Sequence, residues 1–394
     1  DWWYHHPHSK NHLMRRFARA GNRVLFVNSI SMGLPSVASP DFKAKIKRKL
    51  RSYARFVRRA DDGVIVVSPA VIPFYANPLV RNVNRWLLLL QIRLLMVAYD
   101  LRSPILWIAI PTAMGVVGRL GERVLVYQVS DKYEANEMDH ATGGGVIAGM
   151  HRELLERAAV VYYSGRKLFE EEQASYSSYR PKLKLLEQAV DFDHFAAATA
   201  SNGLHVPDDI RGIPGPRLGY FGAIETWLLD QELIGYVARK RPDWHWVLMG
   251  LKTSRLRIED LPNVHYLGSK QYAELPGYAA QFDACVLPWV TDNDFVSHGS
   301  PIKVREYLAT GKPVVITPLY EYERLDGILR IARGYDDFIA KVEDALVRDS
   351  EIQKQARQQS IRDATWDKRA EEVSRELTLL LGAQLLGTIT RPEP

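Results

Sequence analysis

Residues 300–313 read Ser-Pro-Ile-Lys-Val-Arg-Glu-Tyr-Leu-Ala-Thr-Gly-Lys-Pro. Serine is a good helix N-cap, and proline is tolerated at the first helical position because its missing N–H would have no helical partner there. Glycine ends helices readily. The spacing therefore predicts a helix capped by Ser300, opened by Pro301 and stopped at Gly311. Such an N-terminus offers free N–H groups and the positive end of the helix dipole, which together bind anions. Lys303, in the first turn, adds a full positive charge that suits a diphosphate. Glu306 lies three residues on, on the same face one turn further in, where a carboxylate can accept hydrogen bonds from a ribose diol. The same residues also fit a plain amphipathic helix with Lys303 and Glu306 facing water. Two nearby patterns favour the anion site: Tyr220-Phe221-Gly222 and Leu248-Met249-Gly250 each end an apolar run in glycine, where backbone can approach a phosphate.

Tyr127-Gln128-Val129-Ser130-Asp131 ends another apolar run in a carboxylate. Asp131 can take a proton from an attacking hydroxyl as a general base, or it can cap the helix or turn that follows. Asp292-Asn293-Asp294 is an acidic pair of the kind that holds a divalent ion across a diphosphate. Three-residue acidic matches are common in loops, and a site without metal is the preferred expectation. Trp2-Trp3-Tyr4-His5-His6-Pro7-His8, with His12 beyond, puts four of the eleven histidines into eight residues. Imidazoles ligate zinc, but only His8 and His12 share a helical i,i+4 spacing and no cysteine is near. A loop following a strand that precedes Asp1 is the better expectation. Gly143-Gly144-Gly145 lacks the Gly-Lys-Ser/Thr of a phosphate loop and reads as a flexible loop.

Elements must position these residues. Ten short apolar runs begin at Arg23, Gly63, Ile105, Val124, Val160, Arg217, Trp244, Val264, Ala284 and Pro313, with helical-period segments among them. Near-continuous apolar strands separated by helices signify parallel sheets covered on both faces. Two sets of five, in 394 residues, suggest two doubly wound α/β domains. The expected division is an N-terminal domain over 1–200, a Gly/Pro-punctuated linker over 201–216, a C-terminal domain over 217–365, and a terminal helix over 366–394 that packs back on the first domain. Doubly wound sheets bind ligands beyond the carboxyl ends of their strands, so two such domains are expected to face one another across a cleft.

The residues now carry a resemblance. The runs YFGAIETWLLDQELI, RPDWHWVLMG, LPNVHYLGSKQYAELPGYAAQFDACVLPW and SPIKVREYLATGKPVVITP resemble bacterial glycosyltransferases of the two-Rossmann (GT-B) type, nearest the family-4-like enzymes of cell-wall and exopolysaccharide synthesis. The resemblance is strong over Leu218–Thr317 and weaker elsewhere. It implies a nucleotide diphosphate sugar as co-substrate with no cofactor required, Glu306 at the ribose, and Lys303 and the Gly222 loop at the diphosphate, where the helix start and strand ends described above also put Ser300, Pro301 and Gly250. The family's second glutamate is His298 in this chain, so His298, Asp292 and Asp294 are the donor-sugar candidates. The Tyr-x-x-Ser-Asp run also resembles a stretch of xanthan-type glucuronosyltransferase, which implies a base role for Asp131. Trp3, His5 and His8 become candidates for the acceptor side, where aromatic and imidazole groups suit a sugar. A nucleotide-sugar epimerase of double-Rossmann form, or a non-catalytic nucleotide-sugar-binding protein, would fit much of the same pattern.

Charge and composition bound where such an enzyme works. The chain carries a net +6, yet nine basic and no acidic residues lie between Phe42 and Arg59, which leaves −3 for the rest. A nucleic-acid-binding face should be broadly basic, and this chain is not. Phe42, Ile46, Leu50, Tyr53 and Val57 recur at helical spacing, predicting an amphipathic helix with Lys45, Lys49 and Arg55 turned to an anionic membrane surface. The alternative packs that stripe on the N-terminal sheet and leaves the charges solvated. No apolar run reaches the ~18 residues of a spanning helix, and a lone cysteine, Cys285, fits a reducing compartment. A cytoplasmic protein held peripherally on the inner face of the membrane is the resulting expectation.

Overall fold

All ten apolar runs form strands, trimmed at their ends, in the computed structural model, which describes residues 2–3, 6–28, 56–72, 78–133, 144–199, 204–252 and 254–389. The chain divides into two units, one comprising 1–163, 173–184 and 370–394, the other 164–172 and 185–369.

In the first unit, β1 (Leu25–Val27), β2 (Val57–Arg59) and β3 (Ile65–Val67) form one sheet of order β1-β3-β2. β1 runs parallel to β3, whereas β2 runs antiparallel to it with Val57 opposite Val67. Val57 thus does not continue a helical stripe. The chain turns back at Gly63, where φ is +84°, and the hairpin closes through the Ala60 N–H donating to the Val64 carbonyl at 2.8 Å. A β-branched residue followed by two arginines suits such a pleated edge. Lys45, Lys49 and Arg55 lie outside the described residues, as does His5. A second sheet has the order β4-β5-β6-β7, from Ile105–Ile108, Val124–Val129, Val160–Tyr163 and Leu183–Leu185, with β4, β5 and β6 parallel. Helices α1 (Ser9–Arg19), α2 (Pro78–Ala98) and α3 (Gly144–Arg157) belong to this unit. Gly144 and Gly145, expected in a loop, open α3 instead.

The second unit holds a single sheet of order β10-β9-β8-β11-β12-β13, built from Arg217–Phe221 (β8), His245–Met249 (β9), Val264–Tyr266 (β10), Ala284–Leu287 (β11), Val314–Ile316 (β12) and Arg330–Ile331 (β13). Every pairing is parallel. Counted from its own first strand the order is 3-2-1-4-5-6, the doubly wound dinucleotide-binding order, and the winding reverses between β8 and β11. The fully buried sides of these strands meet α4 (Gln231–Lys240), α5 (Ile302–Thr310), α6 (Tyr335–Arg348) and α7 (Glu351–Ile361) in one hydrophobic core. Cys285 sits inside it, and burial pushes its thiol up to about 12.

The expected 201–216 linker proves to be part of this unit over its described length. Asp208–Arg211 forms a helical turn, Ile210 is buried in the core, and Asp209 accepts from Lys270 at 2.5 Å and from the Tyr278 hydroxyl at 2.8 Å. Ile213 is buried in the same core, and the polar, turn-forming composition conceals both apolar anchors. α8 (Trp366–Ile389) begins in the second unit, and its residues from Ala370 group with the first. Among the described residues, no helix is long and apolar enough to cross a membrane.

Candidate functional site

The reversal point between β8 and β11 is where the second unit concentrates its chemistry. β8 ends in Gly222, with φ at +142°, and β9 ends in Gly250, with φ at +153°. The Gly222 N–H donates to the Met249 carbonyl at 2.9 Å, locking the two strand ends together. A side chain at either glycine would collide: a Cβ on Gly222 would reach Lys303, its Cε at 2.6 Å, and one on Gly250 would overlap the Gly222 carbonyl. No helix follows Gly222 directly. A loop runs through Ala223 to Asp230, whose side chain accepts from the Leu233 N–H at 2.8 Å and starts α4.

Lys303 reaches this point from the first turn of α5. Its ammonium donates to the Tyr220 hydroxyl at 3.3 Å and lies 4.6 Å from the centre of the Trp289 ring and 5.1 Å from that of Tyr220. Burial pulls its pKa down to about 8, against the pull of Glu306. Glu306, one turn on and buried, is pushed up to about 8 by burial, with Lys303 opposing the rise and Asp191 adding to it. A hydrogen bond from Tyr272 also favours the carboxylate. The Tyr272 hydroxyl is 3.2 Å from Asp191, and His194 stacks on its ring at 4.9 Å. One cation and one carboxylate are therefore held on one helix face, both partly robbed of their charge by desolvation.

The start of α5 differs from expectation by one residue. Pro301, extended with ψ at 119°, is the cap and Ile302 the first helical residue. The Ser300 hydroxyl does not cap the helix, because it accepts from the buried Arg305 guanidinium at 3.3 Å. Arg305 also donates to Tyr322 at 2.6 Å and to Glu321 at 3.1 Å, and Tyr322 donates to the Pro301 carbonyl at 2.7 Å. This buried network fixes the helix entry. In sequence it was hidden, because Arg305 and Glu321 look like ordinary surface charges. Gly311 ends the helix as expected, in the left-handed region with φ at +76°.

His298 is buried and already engaged. Its Nε2 is 2.8 Å from Glu171, and its Nδ1 is 2.7 Å from the Asp294 carbonyl. Asp292 and Asp294 are exposed, and Asn293 between them caps a turn of helix over Asp294–Ser297 through its 3.1 Å bond from the Val296 N–H. Among the described residues, no three His, Cys, Asp or Glu side chains converge as a metal site would require.

The first unit keeps its own polar cluster at the end of β5. Asp131 is half-buried, and burial raises its pKa while the nearby Lys10 ammonium lowers it. Lys10, from α1, is itself lowered by burial and raised by Asp131. Beside them Gln128 donates to the Ser9 hydroxyl at 2.9 Å and accepts from the Trp107 indole at 3.0 Å. Lys10 escaped sequence reasoning, since nothing in its neighbours marks it. His8 is exposed and caps α1 by a 3.0 Å bond from its N–H to the Asn11 side chain, whereas Trp3 is half-buried with the Arg58 guanidinium 5.0 Å from its ring centre.

The reversal point of this doubly wound sheet thus holds a desolvated lysine and two close-packed glycines. Residues 215–348 match the family described as glycosyl transferases group 1. The matched segment takes in β8 through α6, hence Gly222, Gly250, Lys303 and Glu306. A Bacillus subtilis (strain 168) protein named for teichuronic acid biosynthesis, the glycosyltransferase TuaH, is 27% identical over 237 residues, which is 56% of this chain and 57% of that protein. The chain's match thus spans little more than half the length of that relative. Sucrose-phosphate synthase from Thermosynechococcus elongatus superimposes with a TM-score of 0.66 at 14% identity, over 95% of this chain and 93% of its own. Anabaena HepE, solved in complex with UDP and glucose, gives 0.58 at 15% identity, over 90% of this chain and 99% of its own. At these identities the likeness is one of fold alone, an α/β fold with two Rossmann-like units, and the matched segment lies in the second of them.

Proposed function

We propose that this chain is a glycosyltransferase that moves a sugar from a nucleotide diphosphate sugar to a saccharide or lipid-linked saccharide acceptor in envelope or exopolysaccharide synthesis. The observation that carries this is Lys303, held over Trp289 and Tyr220 at the reversal point of a 3-2-1-4-5-6 sheet, beside Gly250, which admits no side chain, and Gly222, where a side chain would displace the lysine. The donor diphosphate lies against Gly222, Gly250 and the α5 N-terminus at Ser300 and Pro301, and Glu306 accepts from the ribose hydroxyls. As the bond between the sugar's anomeric carbon and the diphosphate breaks, charge grows on the leaving oxygen. Lys303 and the helix N–H groups stabilise that charge where they are desolvated and preset, a role that needs no metal. The acceptor hydroxyl forms the new bond to the anomeric carbon and gives its proton to Asp131. Asp292, Asp294 and His298 serve the donor sugar, and Trp3, His5 and His8 the acceptor. The N-terminal unit is the acceptor side, and the enzyme works peripherally on the inner, cytoplasmic face of an anionic membrane, aided by Lys45, Lys49 and Arg55.

A thermal-shift panel of nucleoside diphosphates and their sugars tests the donor site first. Stabilisation by at least one is expected, and none by any would count against the whole reading. Release of nucleoside diphosphate from the matching sugar is then followed with and without acceptor. Dependence on acceptor marks a transferase; an acceptor-free change of the sugar marks an epimerase, and no turnover a binding protein.

A further inference from the structure

Helix α2 presents an apolar face to solvent along its whole length. Leu79, Val83, Trp86, Leu90, Leu94 and Val97 are all exposed, from 45% at Val83 to 83% at Val97. At 100° per residue these six positions fall within an arc of about 80°, so they form one straight stripe. The opposite side attaches the helix to its unit: Leu89, Ile92 and Leu95 are buried. Asn84 there exchanges two hydrogen bonds with the Ile72 backbone, at 2.7 and 2.8 Å, and Gln91 two with Ala70, at 2.8 and 2.9 Å. The helix is thus apolar on two sides: Leu89, Ile92 and Leu95, with Asn84 and Gln91, hold it to the protein, while a second apolar stripe faces outward. A contiguous exposed stripe of this size marks an interaction surface.

Charge says which partner it fits. α2 contains Arg81, Arg85 and Arg93 and no acidic residue. The guanidinium groups of Arg85 and of the exposed Arg119 each lie 5.9 Å from the centre of the Trp86 ring, and Arg93 donates to the Arg119 carbonyl at 2.7 Å. Apolar residues on one face, arginines beside them and an indole at the boundary are the features of a helix lying in the interface plane of an anionic bilayer. We infer that the exposed face of α2 is a membrane-docking surface, with Val83, Trp86, Leu90 and Leu94 entering the headgroup region and Arg85, Arg93 and Arg119 meeting lipid phosphates. This deepens the membrane reading above but rests on different residues from the basic segment that suggested it.

The test is flotation of the full chain with phosphatidylcholine vesicles, with and without phosphatidylglycerol. Binding is expected only to the anionic vesicles, and Leu90→Glu/Leu94→Glu, which changes exposed positions alone, is expected to weaken it by about tenfold or more. A melting curve for that variant like the parent's excludes misfolding. Vesicles carrying brominated acyl chains should quench tryptophan fluorescence, and Trp86→Phe should remove most of the quenching. If charge reversal at Lys45, Lys49 and Arg55 abolishes flotation while Leu90→Glu/Leu94→Glu leaves it intact, the membrane reading survives and the assignment to α2 falls. If the double variant instead turns a dimer into a monomer on size-exclusion chromatography without affecting flotation, the stripe is a contact between copies and the inference is overturned. The thermal shift with UDP is expected to be unchanged in these variants, which separates this outcome from failure of the donor-site reading.

Discussion

Gly250 faces the carbonyl of Gly222 with no space for a side chain between them: a Cβ on Gly250 would overlap the Gly222 oxygen and lie 2.8 Å from its carbonyl carbon. Both neighbours are backbone, so neither can rotate away, and φ at +153° adds its own penalty for any L side chain. Gly250→Ala is expected to destabilise the second unit by about 3 kcal/mol and to abolish nucleotide binding. At Gly222 the obstruction is the Lys303 side chain, which can swing aside. Gly222→Ala should therefore cost less stability but lose nucleoside diphosphate affinity, because the ammonium is displaced. Denaturant melts and isothermal titration of the two variants separate these effects, and equal stability losses would contradict the distinction.

Lys303 and Glu306 set a pH dependence that can be read in two ways. Burial holds Lys303 down to about 8, so its positive charge is lost as pH rises through that value, and a bound diphosphate would favour keeping it. Affinity for UDP is expected to fall as pH rises above about 8 and to be weak and nearly flat in Lys303→Met. Glu306 moves the other way, from 4.5 to about 8, so the folded chain holds its proton more tightly than the unfolded one. Ionising it therefore costs stability progressively between those two values as pH rises. Glu306→Gln should melt higher than the parent at pH 8, by about 2–4 °C for each kcal/mol recovered, and no higher at pH 4. A variant melting below the parent at pH 8 would falsify the assignment of a costly buried carboxylate.

What the sequence made legible was whatever depends on local periodicity and end signals. All ten apolar runs became strands, and the Gly311 stop and the Lys303/Glu306 pairing followed from spacing within one helix. What it hid depends on partners distant in sequence. Ser300 looked like a cap, but Arg305 competes for its hydroxyl, and that preference needs Tyr322 and Glu321 brought in from the next 3-10 turn. Val57 completed a helical stripe on paper, yet its pairing with Val67 across the Gly63 turn decides for strand, because a hairpin satisfies backbone groups that periodicity does not count. Over 201–216 a polar, turn-forming composition reads as a linker, yet the buried Ile210 and Ile213 and the bonds of Asp209 tie it to the second unit.

The Arg305 network invites a double-mutant test. Both partners of the Arg305–Glu321 pair are almost wholly buried, with side chains 3% exposed on each side, and Glu321 also accepts from the Arg166 N–H at 2.8 Å. Removing one partner leaves an uncompensated buried charge. Arg305→Met is expected to cost about 3–5 kcal/mol, and Arg305→Met/Glu321→Gln to recover a large part of it. Denaturant titration gives both numbers; if the double variant is as unstable as the two single changes added together, the pair is not coupled.

Asp131 and Lys10 give the most direct test of the proposed chemistry. The carboxyl must be ionised to accept the acceptor's proton. Burial raises its pKa and Lys10 lowers it, so the lysine keeps the base usable at lower pH. Asp131→Asn is expected to reduce turnover by about 10²–10⁴ while leaving donor affinity unchanged, since every proposed donor contact lies in the second unit. Lys10→Met should retain turnover at high pH but shift the acid limb of the pH–rate profile upward, because the carboxyl then protonates at a higher pH. A purely structural Lys10 would lower the rate equally at all pH values. Turnover retained in Asp131→Asn would remove the base role altogether and leave Asp131 as a residue of the bend that follows β5 and nothing more.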